Sequence, residues 1–95
     1  YDELVRGYFT ELAHRGYQVE INTKAYHALG TFYPGERYFS FLHDLGIRVQ
    51  VNSDSHYPER INYGRAEALE SLKRAGYKTV MELHAGEWRE TPIML

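Results

Sequence analysis

Residues 38–52 read Tyr-Phe-Ser-Phe-Leu-His-Asp-Leu-Gly-Ile-Arg-Val-Gln-Val-Asn, and this stretch decides the fold. Apolar side chains recur at helical spacing up to Leu45, and after Gly46 they alternate with polar ones from Ile47 to Val51. Glycine readily adopts the left-handed conformation that ends a helix. The stretch therefore predicts a helix, a stop and a short strand.

The same pattern occurs three times along the chain. Gly16, Gly46 and Gly76 lie 30 residues apart, and each follows a helical pattern and precedes a β-type run. Three α-to-β units in series predict an α/β fold with parallel strands. Residues 86–95 lack such a pattern, and we expect an irregular tail there with Trp88 packed against the protein.

Polar residues occupy one face of each of the first two predicted strands. They are Gln18, Glu20 and Asn22 on the first strand, and Arg48, Gln50 and Asn52 on the second. A parallel strand that helices cover on both sides is apolar along its whole length. The polar row therefore favours strands that line a barrel with a functional cavity. An antiparallel sheet with one face in water is the alternative.

Composition by itself excludes several kinds of site and partner. The 95 residues suffice for one domain, and the absence of cysteine excludes disulfides, thiolate zinc sites and a cysteine nucleophile. A metal would have to be bound by His, Asp or Glu. With 11 basic and 13 acidic residues the charge is balanced, and no apolar run reaches membrane-spanning length. We therefore expect neither nucleic acid nor a membrane as a partner.

The strongest local signal follows the second predicted strand, at residues 52–56. If the extended backbone continues, Asp54 and His56 lie on the same face, about 6–7 Å apart. A carboxylate beside an imidazole suits Zn, Mn or Fe. The alternative is an Asp and a His that are hydrogen-bonded in a turn. A Ser-His-Asp triad is disfavoured because residues so close in sequence do not easily meet in that geometry.

Further candidates lie at the ends of the predicted strands and in the loops after them. Glu20 could orient a ligating His without binding the metal itself, and Asn22 could contact a substrate. His84, at the end of the third strand, could face a cavity or simply precede a turn. Four basic residues could bind an anion such as phosphate, or could be ordinary surface cations: Lys24, His27, Arg37 and Arg60.

Several of these motifs occur together in a characteristic order. They are Glu20-Ile21-Asn22-Thr23, Phe32-Tyr33-Pro34, Leu45-Gly46-Ile47, Asn52-Ser53-Asp54-Ser55-His56, and Gly64-Arg65 with the helix up to Gly76. The combination resembles the C-terminal part of the polymerase-and-histidinol-phosphatase (PHP) superfamily, and most of all its histidinol-phosphatase branch. The similarity covers about residues 15–84.

This resemblance implies a distorted (β/α)7 barrel with up to three divalent metal ions (Zn, Mn or Fe) at the carboxyl ends of its strands. Asp54 and His56 would be the last ligand motif of that site, and Asn22 with its loop would lie over the substrate. The implied reaction is hydrolysis of a phosphate monoester by a metal-bound hydroxide. L-Histidinol phosphate, an intermediate of cytoplasmic histidine biosynthesis, is the implied substrate.

The chain lacks the His-x-His motif and the other ligands that earlier strands of such barrels carry. A barrel of this type needs about 200 residues or more. We therefore expect residues 1–95 to be one incomplete PHP domain, inactive without the missing N-terminal barrel half. Another PHP phosphoesterase remains an alternative. So does a noncatalytic α/β module that binds a small ligand or self-associates through exposed sheet edges.

Overall fold

The computed structural model describes residues 2–23, 30, 32–52 and 64–93. In chain order the elements are helix α1 (Asp2–His14), strand β1 (Val19–Asn22), a 3₁₀ turn (Glu36–Tyr38), helix α2 (Phe39–Asp44), strand β2 (Val49–Asn52), helix α3 (Arg65–Arg74) and strands β3 (Thr79–His84) and β4 (Glu87–Pro92). Each of the three helices is followed by a strand, which confirms the predicted α/β class.

The three α-helices of the described residues end in the same hydrogen-bond arrangement. The N–H of the residue after the glycine donates to the carbonyl five residues earlier, at 3.0–3.1 Å, in the pairs Tyr17–Leu12, Ile47–Leu42 and Tyr77–Leu72. Gly16, Gly46 and Gly76 have φ values of 72°, 76° and 114°. This is the closure that a left-handed residue gives to a helix, and it confirms the three predicted stops.

Gly76 has a second reason to be glycine. A Cβ atom added there would lie 2.9 Å from the imidazole ring of His43. That ring also meets the ring of Tyr77 edge to face, with 5.1 Å between the centroids. The end of α3 can therefore approach α2 this closely only because position 76 has no side chain.

The first two strands pair in parallel, as predicted. The register places Val19 opposite Val49 and Asn22 opposite Asn52, so the carboxyl ends of the strands lie side by side. Val19, Ile21 and Val49 are buried, whereas Glu20 and Asn52 are exposed. The period of two that predicted the strands thus also separates the buried face from the polar face.

The third unit corrects the expectation of a third parallel strand. β3 pairs with β4 in antiparallel register, and within the described residues the two strand pairs form separate sheets. The turn explains this arrangement: Ala85 and Gly86 have φ values of 51° and 83°, as a two-residue type I′ hairpin requires. The described strands close no barrel.

The expected irregular tail is also corrected. Residues Glu87–Pro92 form β4, and Trp88 is 46% exposed instead of packed down. Its register partner Leu83 is 57% exposed as well. The outer face of the hairpin therefore carries an apolar pair in contact with solvent.

One core holds the three units together. Its largest fully buried side chains are Phe39, Ile21, Leu42, Leu72 and Val49. Ser71 on α3 donates a hydrogen bond of 2.6 Å to Glu36 in the 3₁₀ turn. Helix α1 contributes only Phe9 as a buried side chain, so α1 is the least covered of the described α-helices.

Candidate functional site

Polar side chains meet at the carboxyl ends of β1 and β2. The side-chain amide of Asn52 donates to Oε1 of Glu20 at 2.6 Å, across the parallel pair. The backbone N–H of Thr23 donates to the carbonyl of Asn52 at 2.8 Å. These two contacts tie the ends of both strands together directly before residues 53–56, the segment that carries the predicted metal ligands.

Glu20 and Asn22 lie at the predicted end of the strand pair. Glu20 was predicted to orient a ligating His, and among the described residues its carboxylate accepts from Asn52. Asn22 pairs through its backbone with Tyr33, with N–H to carbonyl distances of 2.7 and 3.0 Å in the two directions. The segment at Tyr33 therefore closes against the carboxyl end of β1.

Arg37 lies in a different network, at the 3₁₀ turn. Its Nη2 donates to the hydroxyl of Tyr38 at 2.8 Å, and that hydroxyl donates to Asp2 at 2.8 Å. Hydrogen bonds from Arg6 and then from Tyr38 lower the pKa of the Asp2 carboxyl. The Arg37 side chain is 68% exposed, so it fastens the start of α1 to the turn and remains open to solvent.

The other predicted site residues lie outside the described residues. They are the candidate metal ligands Asp54 and His56, and the candidate anion-binding residues Lys24, His27 and Arg60. In the part of the chain that the structure describes, no three His, Asp or Glu side chains come together as a metal centre would require.

Arg65 and Glu82 form an ion pair that sequence reasoning did not single out. Nη2 of Arg65 lies 2.9 Å from Oε2 of Glu82, and both side chains are about one-third exposed or less. Nη1 of Arg65 also donates to the carbonyl of Val51 at 3.4 Å. One sequence signal was available: an arginine in the first turn of a helix opposes the helix dipole and so calls for another partner.

His43 and His84 both have exposed side chains. His43 on α2 has a side chain that is 44% exposed. His84 has a side chain that is 53% exposed, and its Nε2 lies 3.8 Å from Glu82. It directly precedes the hairpin turn.

An open cavity of about 550 Å³ lies beside β1, between α1 and residues 33–38. Large apolar side chains with high exposure line it: Leu4 (77%), Tyr8 (63%), Tyr17 (56%) and Tyr33 (79%). Glu20 and Arg37 line it too. A contiguous apolar surface of this kind usually marks a contact with another molecule or chain segment.

No helix within residues 2–23, 32–52 and 64–93 is long and apolar enough to cross a bilayer. No protein-family model matches the chain. A comparison with curated proteins likewise finds no significant relative.

Proposed function

We propose that these residues are the C-terminal part of a histidinol-phosphatase-like PHP enzyme, a cytoplasmic metal-dependent phosphoric monoester hydrolase. The supporting observation is the parallel pairing of β1 with β2. It places Asn22 opposite Asn52 at the carboxyl ends of the strands, with the Glu20 side chain bonded to Asn52, and such ends are where α/β barrels build their sites. The segment with Asp54 and His56 follows directly from that edge.

In this proposal Asp54 and His56 bind one or more of up to three divalent ions. The metal would supply a hydroxide for attack on phosphorus and would neutralise the phosphoryl oxygens. Glu20 would hold Asn52, and thereby the start of the ligand segment, in place. The cations Lys24, His27, Arg37 and Arg60 are candidates for the phosphate group, and L-histidinol phosphate is the first substrate to test.

The cavity beside β1 supports the incomplete-barrel part of the proposal. The N–H groups of Val19 and Thr23 point toward β2, so by alternation the backbone groups of Glu20 point toward the opposite edge. That edge borders exposed Leu4 and Tyr8. A neighbouring strand from the missing barrel half would find the backbone groups of Glu20 and apolar cover there, beside the pair that Asn22 forms with Tyr33.

The test uses the full-length protein that carries these residues, purified with Zn, Mn or Fe and assayed for phosphate release from a panel of monoesters. We expect Asp54→Asn to lower bound metal and turnover together, by more than the roughly 10–100-fold that loss of an outer partner costs. Asp44→Asn is the matched control, because the Asp44 side chain is 81% exposed on α2. Unchanged metal content in Asp54→Asn would contradict the ligand assignment.

A second assay addresses completeness. The 95-residue chain alone should release no phosphate, because the remaining ligands belong to earlier strands. Metal-dependent turnover by this chain alone would refute the incomplete-site proposal.

The same cavity also favours a second candidate, a noncatalytic module that self-associates through the edge of β1. A full-length sequence without an upstream His-x-His motif, together with concentration-dependent association of the chain, would favour the module over the enzyme.

A further inference from the structure

The outer edge of β2, on the side away from β1, faces α3 and β3. The carbonyls of Arg48 and Asn52 accept hydrogen bonds from β1. Carbonyls alternate in direction along a strand, so those of Ile47 and Val51 point to the outer edge. Within the described residues, β2 and β3 belong to separate sheets, so backbone pairing with β3 does not cover this edge.

Two side chains cover it instead. The hydroxyl of Tyr77 donates to the carbonyl of Ile47 at 2.5 Å, before the start of β2. The guanidinium of Arg65 donates to the carbonyl of Val51 at 3.4 Å, near the end of β2. The third unit thus holds β2 at two points through side chains.

The contact at the carboxyl end of β2 is the more informative of the two, because its donor, Arg65, is a cation at an electrostatically unfavourable position. Arg65 is the first residue of α3, at the positive end of the helix dipole. Its pairing with Glu82 on β3 at 2.9 Å offsets that cost. The same guanidinium therefore links three elements: α3, β3 and the end of β2.

The end of β2 is held from the other side as well, by the hydrogen bond between Asn52 and Glu20. Val51 and Asn52 are the last described residues before Asp54. The carboxyl end of β2 is therefore held on both of its edges.

We propose that Arg65 is a positioning residue, which with Glu82 fixes the carboxyl end of β2, the strand from which the chain continues to the proposed ligands Asp54 and His56. This inference rests on the proposed function. Arg65 acts through the backbone of Val51, and its effect should fall on turnover and metal retention and not on substrate affinity.

The experiment compares Arg65→Met and Arg65→Lys in the full-length protein loaded with the metal that supports activity. We expect Arg65→Met to lower kcat by about tenfold to a hundredfold, the size expected from misplacing reacting groups by about 1 Å. KM should change by no more than about twofold. Arg65→Lys keeps the charge and should recover part of kcat. Arg74→Met on the same helix is the control, since Arg74 forms only an exposed pair with Glu70.

A readout independent of activity is amide hydrogen exchange at Thr23, whose N–H donates to Asn52. If Arg65 holds the end of β2, exchange there should become faster in Arg65→Met and stay unchanged in Arg74→Met. Glu82→Gln gives a milder change if Arg65→Met does not fold, and it should shift kcat and exchange in the same direction.

Wild-type kcat and wild-type Thr23 exchange in a folded Arg65→Met protein would overturn the positioning role. A lower melting temperature with unchanged kcat would overturn it too, because that pattern marks a purely structural pair. If the wild-type protein hydrolyses no phosphate monoester, the proposed function fails and the inference fails with it. An active wild type with an equally active Arg65→Met overturns the inference alone.

Discussion

The two outer edges of the β1–β2 pair differ in what covers them. The edge of β2 receives side-chain hydrogen bonds from Tyr77 and Arg65 and lies against buried residues of the third unit. The edge of β1 borders an open cavity, where Leu4 and Tyr33 are 77% and 79% exposed. Among the described residues, the third unit covers the edge of β2, whereas the edge of β1 is paired at Asn22 with Tyr33 and is otherwise apolar and accessible.

We therefore attribute the stability of this small sheet to the β2 side, and the binding of another chain segment to the β1 side. A pair of short strands is marginal by itself, so the stability of β1 and β2 must come from the side where helices and the hairpin pack. Exposed strand edges with apolar surroundings invite another chain segment to pair. We therefore expect substitutions on the β2 side to alter the free energy of unfolding, and substitutions on the β1 side to alter association.

The largest contrast should come from the same substitution on the two sides. Leu72 on α3 is fully buried, and Leu4 on α1 is 77% exposed. Leu72→Ala should lower the free energy of unfolding by about 2–5 kcal/mol, because it removes buried methyl groups and leaves a cavity. Leu4→Ala should change it by less than about 0.5 kcal/mol. Urea unfolding measures both, and equal effects would contradict the proposed asymmetry.

Tyr77→Phe tests the side-chain cover of the β2 edge more finely. It removes only the hydroxyl that donates to Ile47 and leaves the ring against His43. The carbonyl of Ile47 then loses its donor, which should cost about 1–3 kcal/mol if water does not replace it. Tyr17→Phe is the control, since Tyr17 is 56% exposed. No change in unfolding free energy would show that the edge does not depend on this bond.

Alkaline pH should lower the free energy of unfolding through Tyr77. Burial raises the pKa of the Tyr77 phenol far above its usual value, so the folded protein retains a proton that the unfolded chain loses above a pH of about 10. The stability from this group is complete below that pH and is lost as the pH rises toward the folded-state pKa. The difference in unfolding free energy between wild type and Tyr77→Phe should therefore shrink as the pH rises past about 10. A constant difference would contradict the assignment.

The smallest effect on stability should come from the β1 side. The double substitution Leu4→Ser and Tyr8→Ser should shift unfolding by less than about 1 kcal/mol, from two exposed sites at roughly 0.5 kcal/mol each. It should clearly reduce the binding of a dye that fluoresces on apolar surfaces. Leu83→Ser, an exposed apolar site on the hairpin, is the control. If Leu83→Ser reduces dye binding more than the double variant does, the apolar surface beside β1 is not the main exposed one.

The elements that sequence patterns predicted are those whose signals are local. Gly46 and its flanking residues predicted a helix, a stop and β2. The hydrogen bond from the N–H of Ile47 to the carbonyl of Leu42 confirms the predicted stop. The hairpin was missed because β4 carries a mixed sequence, and because its turn places Ala85 at positive φ where Asn or Asp is the usual signal.

The contacts of the candidate site also differ in how far the sequence predicted them. Glu20 and Asn52 lie 32 residues apart, and the alternation of residues predicted that both lie on polar faces of parallel strands. Arg65 begins a helix and Glu82 lies on a strand 17 residues later. No sequence periodicity relates two such positions, so only the fold reveals their contact. The roles of Asp54, His56, Lys24, His27 and Arg60 stay predictions.

The sequence by itself determined where the helices stop and which strand faces are polar, because both depend on glycine conformation and on the period of side chains along the backbone. Only the tertiary structure decided that the third strand pairs with β4 in a hairpin. It also decided that Tyr77 and Arg65 donate hydrogen bonds to the edge of β2, and that α1 leaves an apolar surface beside β1. These outcomes depend on which elements compete for the same core and the same backbone groups, and that competition has no local signature.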